Sequence, residues 1–219
     1  MVVIERRPDL PRGSQKTFAG IALASLLLLG APVPVAACAF HAVLPAATLV
    51  EDIAGSVEVI AARPSVTDPF SYEPISVLRG EASGLGPPYI VDSVTRARLA
   101  RNPDEAVLFA RGPDGSWTRL FMLDEVTRPF VELLMNRADI WVTPEGAVER
   151  RDLVAGLLSH PDERLRAIAL RELDGLPYDV LRDGTYPIAP SDLLQILTDV
   201  DQMPFAPISI LLLGLDDSD

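Results

Sequence analysis

The spacing of apolar positions changes several times along the chain, and each change predicts an element. Residues 18–29, FAGIALASLLLL, form a dense apolar run with no polar face. Within 45–56, Leu49, Val50 and Ile53 share one side of a 3.6-residue period, which predicts a short helix closed by Gly55. Beyond Ser56 the period shortens toward two. SVEVIAARPSV and PFSYEPISVLRG carry the β-branched, alternating pattern of strands. Pro74 interrupts the second and cannot donate to a ladder, so an edge strand or a bulge is expected there. PPYIVDS (87–93) is a third strand candidate. Ala106–Ala110 and Trp117–Leu123 flank the turn Gly112-Pro113-Asp114-Gly115 and predict a hairpin. Short strands in this number, with no helix between them, suggest a small antiparallel barrel or sandwich.

From Thr127 the helical period takes over. TRPFVELLMNRA predicts a helix with Thr127 as N-cap and Pro129 in its first turn, and DIWVTPEGAVE suggests a small hairpin around Pro144-Glu145-Gly146. The strongest pattern is RRDLVAGLLSHPDERLRAIALRELDGLP. Leu153, Val154, Leu157 and Leu158 form one stripe, and Ser159-His160 break it. Pro161-Asp162-Glu163 then open a second helix, with Leu165, Ile168, Ala169, Leu173 and Leu176 inward and Arg164, Arg166, Arg171 and Glu172 outward. SDLLQILTD and FAPISILLLGL repeat the two-helix pattern more loosely. Ile208, Leu211, Leu212 and Leu215 of the last helix have no later element to cover them, so either this helix turns back against the preceding pair, or, as is favoured here, a partner covers it or the chain is part of a longer repeat array. The expected fold is therefore α+β, a small β barrel or sandwich followed by α-helical hairpins.

Charge adds an address. Arg6, Arg7, Arg12 and Lys16 precede the apolar run, and no charged residue occurs from Thr17 to Phe40. A basic start, an apolar segment of about 12 residues and a small-residue end are the parts of a secretory signal. Val35-Ala36-Ala37 before Cys38 suits leader-peptidase cleavage after Ala37, and equally a lipobox in which Cys38 receives lipid. Cleavage after Ala39, or an uncleaved span, are further alternatives. Each leaves the body exported. Beyond residue 37 the chain holds 15 arginines against 29 carboxylates, so it repels phosphate backbones and nucleic-acid binding is not expected. The expected organisation is a signal peptide over 1–37, a β-rich module over 38–126 and a helical module over 127–219.

Two resemblances follow from these residues. Val59, Ala62, Asp68-Pro69-Phe70, Val77-Leu78-Arg79-Gly80, Val107–Ala110 and Trp117 resemble the order seen in the OB-like barrel of netrin and tissue-inhibitor-type modules. That family rests on a disulfide framework, which a single cysteine cannot supply, so its metalloprotease inhibition does not carry over. HPDERLRAIALREL resembles the second helix of a HEAT repeat, and the return of a helix pair about 40 residues later suits that family's period. The HEAT resemblance implies stacked helix pairs presenting a protein-binding surface.

Chemistry-bearing patterns are few. The histidines are His41 and His160, and a capping role is expected for His160 before Pro161. Metalloprotease, zinc-cysteine, nucleophile-elbow and P-loop patterns do not occur. Asp199 and Asp201 begin like a calcium loop, but Met203 and Pro204 stand where a ligand and a glycine belong. A thiol nucleophile at Cys38 beside His41 lacks a third, orienting group. No catalytic residue, cofactor or metal ligand is assigned. The chain reads as a non-enzymatic exported envelope protein, periplasmic or membrane-anchored through Cys38 or an uncleaved N-terminal helix, that binds another envelope protein. A periplasmic hydrolase with dispersed acidic residues between the modules, or a structural lipoprotein, are the alternatives.

Overall fold

The computed structural model describes residues 47–215. The export segment, the Ala37 cleavage position, Cys38 and His41 lie outside the described residues. Helix α1 (Leu49–Ala54) opens on a reciprocal cap: Thr48 Oγ1 accepts the Glu51 N–H, and the Glu51 carboxylate accepts the Thr48 N–H at 2.8 Å. Gly55 closes it, as its period predicts.

Four strands follow: β1 (Glu58–Pro64), β2 (Tyr72–Gly80), β3 (Ala106–Arg111) and β4 (Trp117–Leu123). They form one antiparallel sheet in the order β2-β1-β3-β4. Strand β2 is an edge, as Pro74 requires, and its register against β1 slips past Ile75 and past Leu78. Gly80 ends β2 at φ 77°, in the left-handed region. The β3–β4 hairpin turns at Gly115, also at positive φ.

The strands form a linear sheet with two edges rather than a barrel or two-sheet sandwich. The reason lies in the central strands. Val59 to Ala62 and Ala106 to Ala110 are uninterrupted apolar runs, buried on both faces, so the sheet needs cover on both sides. On one side Val59, Ala61, Leu108 and Ala110 pack with α1 and with the helix that follows β4. On the other, Ile60, Ala62, Val107 and Phe109 pack with Tyr72, Val91 and Leu99. Leu99 belongs to α2 (Ser93–Arg101), which stands between β2 and β3, where no helix was expected. PPYIVDS is not a strand. It makes a single bridge, Ser71 to Ile90, and then supplies Asp92 as the N-cap of α2 through the Thr95 N–H at 2.8 Å.

Helix α3 (Arg128–Trp141) begins after Thr127, but Thr127 does not cap it with its side chain. The hydroxyl instead donates back to the Met122 carbonyl at 3.1 Å and accepts the Asp124 N–H at 3.0 Å. The helix runs through DIW, where a hairpin was expected. Trp141 shares a face with Leu134 and Ala138 and is 1% exposed, so burial of the indole extends the helix.

Helices α4 (Ala147–Gly156) and α5 (Glu163–Asp174) are joined by a 3-10 turn over Leu157–Ser159. A short α6 (Tyr178–Arg182), α7 (Pro190–Ile196), a 3-10 segment over Val200–Phe205 and α8 (Ala206–Leu215) complete the described residues. Asp162 caps α5 and Gly175 ends it. Ile208 and Leu212 are buried against α5 and α7, with Leu158, Leu173 and Leu193, so the last helix turns back on the earlier helices. Residue 126 therefore marks a change of element type, not a gap in packing: the sheet's core also includes Leu165 of α5. The architecture is α+β, with one four-stranded antiparallel sheet and eight α-helices among the described residues.

One expectation about α5 is reversed. Glu172 does not face out: it is 0% exposed. Its carboxylate accepts Arg150 Nε at 3.0 Å and the Val50 N–H at 3.2 Å, and Arg150 Nη2 also donates to Thr48 Oγ1 at 2.9 Å. Arg150, itself 3% exposed, thus joins α4 and α5 to the cap of α1. Burial pushes the Glu172 carboxyl above its ordinary value, and Arg150 opposes that rise.

Candidate functional site

A cleft of about 580 Å³ opens between the α4–α5 corner and the segment from α7 to Phe205. Its floor is apolar, with Leu158, Leu170 and Ile196 buried and Phe205 half-buried. Glu163, Asp192 and Asp201 stand exposed at its rim, with Asp199, His160 and Arg166 half-buried among them. The local chain explains this arrangement. The break at Ser159-His160 and Pro161 turns α5 away from α4, while Pro190 opens α7 and Pro204 lies in the 3-10 segment that leads into α8.

The polar groups of the cleft are largely employed in holding the backbone. His160 Nδ1 accepts the Asp162 N–H at 3.0 Å, the capping role expected of it. In the neutral ring this bond assigns the proton to Nε2. Arg166 Nη1 donates to the His160 carbonyl at 2.8 Å and to the Pro161 carbonyl at 2.9 Å. Asp199 accepts Gln202 Nε2 at 2.9 Å and the Asp201 N–H at 3.0 Å, and these bonds hold its carboxyl below the usual range. Ser159 Oγ donates to the Gly156 carbonyl at 3.4 Å. Among the described residues, no group of three or more His, Cys, Asp and Glu side chains gathers as a metal ion would need.

A second, smaller groove of about 280 Å³ lies between α1, β4 and α5. Leu49, Leu120, Phe121 and Ile168 line it, and it shares Ala167 and Phe205 with the first cleft. It also holds carboxylates between the strand-rich and helical parts of the chain: Asp52 and the buried Glu172. Burial, then the neighbouring Glu51, push the Asp52 carboxyl up, against the pull of Arg171.

No family model, no curated protein and no solved structure matches this chain. The geometry therefore stands alone. Of the residues singled out in the sequence, the structure brings His160, Asp199 and Asp201 to one cleft. The sequence reading missed the Glu172–Arg150–Thr48 cluster. The pattern Thr48-x-x-Glu51 signals the cap, but nothing in the order of residues marks Arg150 as its partner, 102 positions away. It also missed Asp124, which accepts Arg98 Nη2 at 3.1 Å and the Thr127 N–H at 3.0 Å and pairs with Arg164, binding α2, α3 and α5 together.

Proposed function

We propose that this is a non-enzymatic exported protein of the cell envelope that works by binding another protein. One observation carries the reading: the cleft between the two helix pairs has an apolar floor and a polar rim, yet its histidine, arginine and central aspartate are committed to backbone hydrogen bonds. Such a surface is built for contact rather than bond-making. The α4–α5 and α7–α8 pairs, with α8 packed on α5, form HEAT-like stacked hairpins in this reading, and the cleft lies between them. Export rests on the basic, apolar and small-residue order of residues 1–37, with lipid on Cys38 as the anchored form. Mass spectrometry of the mature chain tests the address: a diacylated Cys38 gives an anchored protein, a free N-terminus at Cys38 or Phe40 a soluble one, and retention of Met1 overturns cleavage. Affinity capture from envelope extracts tests the binding. A partner recovered by the wild-type chain and lost when Gln195→Arg crowds the cleft supports the reading, and no partner recovered by a folded chain overturns it.

The second groove favours one other reading, a hydrolase. A carboxylate raised by burial is what a general acid requires, and Asp52 meets that condition in a partly apolar groove. Hydrolysis of chromogenic ester, phosphoester, glycoside or peptide substrates that disappears in Asp52→Asn would establish it. Equal rates in that variant remove it.

A further inference from the structure

We propose that the apolar-floored cleft between the two helix pairs receives a lysine or arginine side chain presented by the partner protein. The inference rests on the protein-binding reading and names the chemistry of the partner. Three observations select the occupant. The first is shape. About 580 Å³ is within the range of pockets that enclose a compact group, and Leu158, Leu170, Ile196 and Phe205 offer an apolar bed for a methylene stem. The second is charge complementarity. Glu163, Asp192, Asp199 and Asp201 line the cleft, and the one arginine among the lining residues, Arg166, already donates to the carbonyls of His160 and Pro161. Gln195 and Gln202 add side-chain carbonyl acceptors at the same rim. The third is dispersion. Among the described residues no three His, Cys, Asp or Glu side chains gather as a metal ion requires, and the separate carboxylates of the cleft suit a broad organic cation on a long stem. An acidic segment would meet four like charges, and a purely apolar one would leave the rim unpaired.

The test uses the full-length chain labelled with nitrogen-15 and four probes: arginine amide, lysine amide, norleucine amide and glutamate amide. Arginine and lysine amides are expected to shift the amide signals of residues 163–167 and 195–203 saturably, with millimolar affinity. Norleucine amide, which keeps the stem and lacks the head charge, is expected to bind about tenfold more weakly. The variant Asp199→Asn/Asp201→Asn keeps a capping side chain at position 199 and is expected to weaken arginine amide by a similar factor. The proposal is overturned if norleucine amide binds as well as arginine amide, if glutamate amide binds better, or if no probe gives a saturable shift at these residues. It is also overturned if the double variant retains full affinity with its spectrum otherwise intact. The two readings fail separately. A partner captured equally by wild type and double variant sinks the basic-side-chain inference and leaves protein binding standing. A folded wild type that captures no partner sinks protein binding itself.

Discussion

Replacing Arg150 by methionine is the sharpest test of how the strand-rich and helical parts are joined. Arg150 pairs with Glu172, and both side chains are almost fully removed from water, at 4% and 0% exposure. Arg150→Met preserves stem volume and leaves the Glu172 carboxyl with only the backbone N–H groups of α1 around Val50, while Thr48 loses a donor. Breaking one side of a buried pair costs about 3–5 kcal/mol. In a domain of this size that is a fall in Tm of about 6–20 °C, measured by calorimetry or by circular dichroism on heating. Pairing it with Glu172→Leu removes the stranded charge. The double variant should recover most of the loss, since well-packed apolar replacements of buried pairs are about neutral or stabilising. The pH dependence of Arg150→Met has a definite sign. Burial already raises the Glu172 carboxyl, and loss of the guanidinium raises it further. A carboxyl whose folded pKa exceeds its unfolded value, about 4.3, favours the folded state increasingly as pH falls toward that value. The deficit of Arg150→Met should therefore be larger at pH 8 than at pH 5, and absent from the double variant. A single variant that loses less than about 1 kcal/mol, or a deficit that grows in acid, would refute this account of the cluster.

Two further outcomes follow from particular positions. Gly80 sits at φ 77°, and a Cβ there would stand 2.0 Å from the Val57 carbonyl oxygen, so Gly80→Ala must both strain the backbone and push β2 away from β1. A loss of about 2 kcal/mol or more is expected in urea denaturation, whereas Gly156→Ala, inside α4 with open space around it, should be neutral or stabilising. Asp162 is held at about 2 by the Arg164 side chain and backbone N–H. A carboxyl lowered in the folded state contributes stability above its unfolded pKa of about 3.9, and that contribution fades as pH falls through about 2. Arg164 is more than a third exposed, so solvent screening holds the contribution to under about 1 kcal/mol. Denaturation midpoints between pH 5 and 2 should fall less in Asp162→Asn, which retains the cap, than in wild type.

Local order was readable wherever one residue's physical chemistry decides the outcome alone. Gly55 and Gly175 end their helices, Pro74 marks an edge strand with a bulge, and the Gly112–Gly115 turn closes its hairpin. His160 caps the backbone ahead of α5 as a histidine before a proline there should. Where the outcome depends on what packs from elsewhere, local reading failed. DIW continues a helix because Trp141 has a core to enter, and Ser93–Arg101 forms α2 because the sheet's second face needs Leu99, although three arginines dilute its apolar pattern. The candidate cleft was legible only in fragments. His160, Asp199 and Asp201 were noticed separately, but nothing in their order announces that they share a wall with Phe205.

The sequence by itself determined the acidic balance, the antiparallel hairpin and the helix pair around Pro161, since each depends on charge count, period or a single turn residue. Tertiary structure alone decided that the sheet stays open and covered on both faces, that Glu172 turns inward to Arg150, and that two helix pairs leave a cleft between them. The physical reason is range. Caps, turns and periodicity act over three or four residues. Burial of both sheet faces and of an ion pair is instead settled by partners that the chain supplies tens of residues away.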